Sequence, residues 1–151
     1  MAYSSHHRGD LQRVAHQALW DRGLLDAFDD SVLKQLDGIL GPAQDSDSAI
    51  RDLRGLPWCS IDNDESKDLD QLTVALDLGD GSVRVFVAIA DVDSLVARGT
   101  PIDGHAGQNT ASVYVAGHVY PMLPEKLSTD LTSLGPAVDR LSLVVEYVVR
   151  K

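Results

Sequence analysis

A β-hairpin pattern in the middle of the chain constrains the fold more than any other feature. Residues 72–78 alternate apolar with mixed side chains, Gly79-Asp80-Gly81 follows, and residues 83–90 are almost wholly apolar. A period of two indicates a strand, and an unbroken short apolar run is typical of a buried one. Glycine and aspartate between two such runs are typical of a hairpin turn. The sequence therefore predicts a hairpin with one buried strand.

Two amphipathic helices are predicted before this hairpin. Residues 10–23 place apolar side chains at spacings of three and four and end at Gly23. A second helix is expected to begin after Asp30, its candidate cap, and to stop at Gly41-Pro42. Such a pair can form a DNA-reading helix-turn-helix, but two simply packed helices are the commoner arrangement.

A linker is predicted between these helices and the hairpin. Residues 41–48 are rich in Pro, Gln, Ser and Asp and lack periodicity. We therefore expect a helical N-terminal segment with its linker over residues 1–48 and a second domain over residues 49–151.

The rest of the chain predicts further short elements. Residues 92–99 have a short helical pattern that closes at Gly99, and residues 101–113 predict a helix that begins at Pro101. Residues 120–136 predict an ordered, buried loop with a helical turn or two, and residues 141–149 predict a strand. The expected fold class is α+β, a mixed β-sheet with packed helices, preceded by a short helical segment.

The final strand runs almost to Lys151, and the apolar strands lack the partners that they would need. An open strand edge is a liability for unwanted pairing. We therefore expect the polypeptide to be a fragment of a longer protein.

Charge and cysteine content restrict the function classes. Thirteen Lys and Arg against 23 Asp and Glu give a formal net charge of −10, which repels a phosphate backbone unless a local site offsets it. The single cysteine, Cys59, excludes an intrachain disulfide and favours a reducing, cytoplasmic compartment. No apolar run approaches the roughly 20 residues that a membrane span needs, so no membrane partner is expected.

A dense acidic segment carries the main chemical signal. Its acids are Asp62, Asp64, Glu65, Asp68 and Asp70. Carboxylates this close repel one another, and their oxygens are the ligands that Mg²⁺, Mn²⁺ or Ca²⁺ prefer. In an extended stretch Asp68 and Asp70 share a face, and Asp62 can return across a loop to join them. A metal site and a merely solvated acidic loop both remain open on these grounds.

A calcium-binding EF-hand loop fits the segment only in part. Asp62, Asp64 and Ser66 match its first, third and fifth positions. Lys67 stands where the sharp turn needs Gly, and Thr73 stands where a bidentate Glu is needed. The pattern therefore disfavours this loop.

The string SIDNDESKDLDQ, residues 60–71, resembles the catalytic motif of the ribonuclease II (RNB) family, in which an Asp is followed after five residues by Asp-x-Asp-Asp. Asp62, Asp68 and Asp70 match its first three aspartates, and Gln71 stands at the fourth. The resemblance continues, in the family's order, through FVAIADVDSLVARGTPIDGHA (residues 86–106), SVYVAG (residues 112–117) and YPMLPEKLSTDLTSL (residues 120–134). It covers about residues 52–151, which would be the N-terminal part of an RNB catalytic domain.

This resemblance implies hydrolysis of RNA from a single-stranded 3′ end, with release of nucleoside 5′-monophosphates and with Mg²⁺, or alternatively Mn²⁺, as cofactor. It implies that Asp62 and Asp68 bind metal and that Asp70 most needs its carboxylate for hydrolysis. Gln71 can still coordinate or orient a water through its amide oxygen, without charge. Asp64 and Glu65 lie outside the matched positions and are interpreted as loop acids.

Tyr114 falls where family members have an aromatic that stacks on a base near the 3′ end; a tyrosine packed on a helix flank is the alternative. The later arginine and second aromatic of the family have no counterpart here, so we expect the fragment alone to be inactive. A non-catalytic metal- or RNA-binding module and an acidic interaction domain remain as alternatives. The sequence does not predict an oligomeric state.

Overall fold

The computed structural model describes residues 3–44, 47–115 and 118–150, and it shows an α+β fold, as expected. In chain order its elements are α1 (Tyr3–Trp20), α2 (Asp30–Asp37), β1 (Gln71–Asp77), β2 (Ser82–Ala90), α3 (Pro101–Asn109), β3 (Val113–Val115), β4 (His118–Tyr120), a π-helix (Lys126–Leu131) and β5 (Ser142–Arg150).

The chain forms two compact units. The helical unit contains the residues up to Ile39 together with Val96–Pro124, and the sheet unit contains Leu40–Leu95 together with the residues from Glu125 onward. The N-terminal helices therefore pack with α3 and with the β3–β4 pair, which follow much later in the chain. Residues 45 and 46 of the predicted linker lie outside the described residues.

Helix α1 confirms the first predicted helix and begins earlier than residue 10. Only part of its predicted apolar stripe is buried: Ala15 and Leu19 form a core cluster with Tyr120 of β4. Its end is set by Gly23, which adopts a φ of +69° that other residues rarely adopt.

Helix α2 confirms the second predicted helix but corrects both of its ends. The cap is Asp29 rather than Asp30, because the Asp29 carboxylate accepts a hydrogen bond from the N–H of Val32 at 2.9 Å. The helix ends at Asp37, with Gly38 as its C-cap, before the predicted Gly41-Pro42 stop.

Helix α3 begins at Pro101, as predicted, and ends at Asn109 rather than at residue 113. Its first turn is capped by Gln35 of α2, whose side-chain oxygen accepts from the N–H of Ile102 at 2.9 Å. Buried Asn109 bonds both backbone groups of Leu25, at 2.8 and 3.0 Å. These contacts join the helices of the unit through satisfied polar groups.

The helix predicted over residues 92–99 is wrong, because these residues form turns. The Asp91 carboxylate accepts from the N–H of Ser94 at 3.2 Å, and the Ser94 hydroxyl donates back to the Asp91 carbonyl at 2.5 Å. Such local side-chain bonds compete with helical hydrogen bonds. The segment is too short for apolar spacing to overcome them.

The predicted hairpin is confirmed as β1 and β2, and β5 confirms the predicted final strand. The sheet has the order β1-β2-β5. The expected sheet was mixed, and all strand pairs within the described residues are antiparallel. In the turn, Asp77 and Asp80 accept bonds from the N–H groups of Gly79 and Ser82 at 2.8 and 2.9 Å. Side chains therefore stabilise the turn on both sides.

The core of the sheet unit lies on one face of this hairpin. Val74 of β1 pairs with Phe86 of β2, both are buried, and the Trp58 ring meets Phe86 edge-on at 6.4 Å. The predicted buried loop is confirmed: Leu123 lies in the helical unit, and Leu127, Leu131 and Leu134 are buried in the sheet unit around the π-helix.

The short β3–β4 pair was not predicted, because strands of three residues are too short to show a period. Ala116 and Gly117 of the SVYVAG block lie outside the described residues. Among the helices that the structure describes, none is both long and apolar enough to cross a membrane.

Candidate metal site

The acidic segment is a loop closed at the edge of β1. Cys59 forms an isolated antiparallel bridge with Thr73, with backbone bonds of 3.0 and 2.8 Å. Asp62 lies three residues after one side of this bridge, and Asp70 lies three residues before the other side. In an antiparallel pair, two residues that lie equally far from a bridged pair, one on each arm, stay near each other. The bridge therefore directs Asp62 and Asp70 toward the same end of β1.

A turn inside the loop lets the chain reverse. The N–H of Ser66 donates to the Asn63 carbonyl at 3.0 Å, and Asp64 and Glu65 at the tip are exposed. The sequence predicted that a loop could bring Asp62 back toward the later aspartates, and this turn reverses the chain between them. Asp62 and Asp70 are exposed as well, so the interpretation of Asp64 and Glu65 as loop acids stays a prediction.

The later arm of the loop is held by hydrogen bonds on two sides. The N–H of Ala90, at the end of β2, donates to the Asp70 carbonyl at 2.9 Å. On the other side, the N–H of Leu134 donates to the Leu69 carbonyl at 2.9 Å, and the Ser133 hydroxyl bonds the backbone around Asp68. The backbone that carries Asp68 and Asp70 is therefore held by hydrogen bonds to two other parts of the sheet unit.

Asp70 lies close enough to Asp68 and Asp62 for their charges to affect it. Partial burial is the main cause that raises the pKa of Asp70, and the negative charges of Asp68 and Asp62 raise it further. A carboxyl whose folded pKa is raised destabilises the fold when it ionises, so this cost appears as the pH rises through the shifted range. A cation beside Asp70 would remove the cost.

The three aspartates are close enough for their charges to interact, but their side chains are not arranged as a complete set of metal ligands. Among the described residues, no three Asp, Glu, His or Cys side chains are arranged to hold a metal ion as they stand. Mg²⁺ does not require such a cage, because it usually keeps several waters and binds through one or two carboxylates together with substrate phosphates. The oxygen donors and the unfavourable charge on Asp70 both suit such a cation.

Gln71 is the first residue of β1, pairs with Ile89 and is exposed. It follows Asp70 directly, where the resemblance implies a fourth aspartate. Its amide can accept a hydrogen bond and can coordinate through oxygen but adds no charge. The site therefore has one negative charge fewer than the four-aspartate motif.

Tyr114 lies in the helical unit, at the centre of β3, where it pairs with Val119. Its side chain is 67% exposed, so its ring is not part of the core. An exposed aromatic ring can stack on a nucleic acid base.

A groove of about 1470 Å³ also lies in the sheet unit, lined among others by Trp58, Leu69, Leu72 and Leu134. None of Asp62, Asp68 and Asp70 lines it. We therefore assign the candidate chemistry to the rim of the sheet at β1 and not to this groove.

Sequence reasoning missed the residues that support the acidic segment. Ser133 and Leu134 contact it from more than sixty positions away, after the π-helix. A serine inside a leucine-rich block has no pattern that predicts a partner so distant in sequence. Only the tertiary structure identifies it.

Comparison with known proteins agrees with this architecture. Residues 50–151 match the family model described as the RNB domain. Ribonuclease R of Escherichia coli (strain K12) is 41% identical over 120 residues, which is 79% of this chain and 15% of that protein. Ribonuclease R of Vibrio cholerae is 44% identical over 98 residues, which is 65% of this chain and 12% of that protein. The chain thus spans less than a sixth of the curated relatives it matches.

Solved structures match over most of the chain. Mycoplasma genitalium RNase R in complex with double-stranded RNA superposes with a TM-score of 0.77 and 33% identity, covering 87% of this chain and 24% of that one. The apo form of the same enzyme gives a TM-score of 0.73 and 34% identity, covering 85% of this chain and 20% of that one. The family model matches two thirds of this chain, so the chain belongs to the RNB domain family.

Proposed function

We propose that this chain is the N-terminal part of the catalytic domain of a hydrolytic exoribonuclease, which degrades RNA from a single-stranded 3′ end and releases nucleoside 5′-monophosphates with Mg²⁺ or Mn²⁺. The observation that carries the proposal is the match of residues 50–151 to the RNB domain, within which one loop at the start of β1 holds Asp62, Asp68 and Asp70. These are the same three residues that match the family's catalytic motif. RNA degradation is also the activity named for the relatives.

Each acidic residue has a proposed role at this site. Asp62 and Asp68 bind the divalent cation, and Asp70 supplies the carboxylate that hydrolysis most needs. When bound, Mg²⁺ would activate a water and offset negative charge on the attacked phosphate. Gln71 would orient a water or complete the coordination without adding charge.

The proposed cation also reconciles RNA binding with the acidic composition. A net charge of −10 repels RNA as a whole, but a cation-filled acidic site presents positive potential to a phosphate. Tyr114, exposed in the helical unit, would stack on a base near the 3′ end. Stacking contributes roughly 1–3 kcal/mol per base and accepts any base, which suits an enzyme that removes every nucleotide in turn.

The remaining expectations are also proposals. We place the protein in the cytoplasm, since its single cysteine is free and exposed and suits a reducing compartment. The chain spans 15% of the length of Escherichia coli ribonuclease R. We therefore expect little turnover from the 151 residues alone and place the activity in the complete protein.

Replacement of one carboxylate tests the proposal. In the complete protein, Asp70→Asn is expected to reduce the release of 5′-mononucleotides from labelled RNA by at least about 100-fold, while RNA binding survives, because only the charge is lost. Asp64→Asn is the matched control, since Asp64 lies in the same loop and does not shift the pKa of Asp70. Turnover retained by Asp70→Asn would remove Asp70 from the mechanism.

A second candidate is a non-catalytic RNA-binding module. Gln71 favours it, because the missing fourth carboxylate weakens any site for a second cation. The same labelled RNA, incubated with the complete wild-type protein and Mg²⁺, separates the two functions. Mononucleotide products support the enzyme, and a stable complex without products supports the module.

A further inference from the structure

Ser133 is a buried residue whose hydroxyl both accepts and donates a hydrogen bond within the acidic segment. The residue is 3% exposed, and it follows the π-helix in the sheet unit. The hydroxyl accepts from the N–H of Leu69 at 3.1 Å and donates to the carbonyl of Lys67 at 2.7 Å. A serine hydroxyl has one proton to donate, and that proton is used here.

The two bonds lie on either side of Asp68. The Lys67 carbonyl precedes Asp68 and the Leu69 N–H follows it, so one hydroxyl restrains both of its flanking peptide groups. The N–H of Leu134 and the N–H of Ala90 then hold the carbonyls of Leu69 and Asp70, each at 2.9 Å. Four hydrogen bonds therefore restrain a backbone whose Asp70 side chain remains accessible to solvent.

This restraint acts against a repulsion. Asp68 and Asp70 lie two residues apart and each carries a carboxylate, so the two like charges would gain by moving apart. A free loop would relax in that direction. Buried hydrogen bonds to the backbone are costly to lose, so they hold the backbone on both sides of Asp68 against this repulsion.

We propose that Ser133 is a positioning residue, which holds the Asp68 carboxylate beside Asp70 so that both can contact one divalent cation. This inference rests on the proposed function, since it concerns the same site. Residues that orient metal ligands from outside the coordination sphere typically change metal affinity or activity by about 10- to 100-fold when replaced.

The test compares variants of two adjacent buried hydroxyls in the complete protein. Ser133→Ala removes both bonds to the acidic segment. Thr132→Val is the matched control, because the Thr132 hydroxyl is equally buried but donates to the Leu127 carbonyl at 3.0 Å, inside the π-helix region. Ser133→Thr keeps a hydroxyl at the site and tests rescue.

Two quantities are measured: the Mn²⁺ dissociation constant, by paramagnetic resonance, and the Mg²⁺ concentration that gives half-maximal mononucleotide release. We expect Ser133→Ala to raise both by about 10-fold, while Thr132→Val leaves both unchanged and Ser133→Thr restores most of the loss. If Ser133→Ala does not fold, Ser133→Cys carries the same expectation, since a thiol keeps the volume but bonds weakly.

The outcomes separate this inference from the proposed function. Wild-type protein that binds Mn²⁺ but releases no mononucleotide contradicts the enzyme, and the Mn²⁺ affinities still decide the role of Ser133. Unchanged metal dependence in Ser133→Ala, or an equal shift in Thr132→Val, overturns the positioning role and leaves the enzyme standing. A wild-type protein without a saturable Mn²⁺ site overturns both.

Discussion

Asp70 bears an electrostatic cost within the acidic segment. Partial burial and the charges of Asp68 and Asp62 raise its pKa, yet hydrogen bonds keep its backbone in place. Structures that hold like charges together commonly do so at functional sites. Gln71, next in the chain, limits this cost because it adds no fourth charge. The residue that departs from the family motif is therefore also a residue on which the charge balance depends.

Gln71→Asp is expected to strengthen metal binding in the complete protein. An added carboxylate increases the ligand charge, and ligand charge tunes cation affinity. We expect the half-saturating Mg²⁺ concentration for RNA hydrolysis to fall by about 10-fold. In the absence of metal, the thermal midpoint should fall, since a further like charge adds repulsion.

Gln71→Asn provides the control for this change, because it shortens the side chain and keeps the amide. It should not lower the Mg²⁺ requirement. An equal Mg²⁺ requirement in Gln71→Asp and Gln71→Asn would show that position 71 does not contribute to the site.

The sequence could predict those residues whose partners lie nearby in the chain. Asp62, Asp68, Asp70 and Gln71 lie in one short segment, where spacing and the family motif identify them together. The support from Ser133 depends on a contact across 64 positions, and no local spacing encodes it. The roles of the four acidic-segment residues stay predictions until a metal or activity measurement is made.

At the scale of elements, the hairpin and the helices were predictable because their periodicity extends over seven or more residues. Where side chains bond the backbone locally, the prediction was wrong: Asp29 caps α2, and Asp91 with Ser94 forms a turn in place of the predicted helix. The β3–β4 pair is too short for any period. Local side-chain hydrogen bonds thus determine where an element begins, and the spacing of apolar residues determines whether it is a helix or a strand.

Helix α3 is expected to make stability depend on pH. Buried His105 lies against the Phe28 ring at 4.4 Å and beside the Asn109 side chain at 3.3 Å. Burial is the main cause that lowers the pKa of His105, against the opposing effects of its bond to the Pro121 backbone and of Asp29. The unfolded chain therefore takes up a proton at a higher pH than the folded one.

The free energy of unfolding should consequently be highest above pH 6.5, the ordinary pKa of histidine, and should decline as the pH falls through that value. The slope cannot exceed about 1.4 kcal/mol per pH unit for one proton. Thermal unfolding followed from roughly pH 8 to roughly pH 5 measures it. His105→Gln should have a shallower dependence than the wild type, and an identical dependence would contradict the assignment.

For the whole molecule, charge and family membership point in opposite directions until the site is considered. A net charge of −10 disfavours RNA, while residues 50–151 match the RNB domain and the fold is similar to that of RNase R structures. The divalent cation that we propose at the acidic segment would resolve this conflict, because it would reverse the local potential. The proposed function therefore depends on whether three aspartates of one loop bind a cation together.

Calorimetric titration with Mg²⁺ tests this claim most directly, on the wild type and on four single variants in the complete protein. Joint binding of one cation by the three aspartates predicts a saturable site whose affinity falls by at least about 10-fold in Asp62→Asn, Asp68→Asn and Asp70→Asn. Asp64→Asn, which changes the same loop by the same charge, should bind as the wild type does. No saturable binding, or an equal loss in all four variants, would contradict the account and leave a solvated acidic loop.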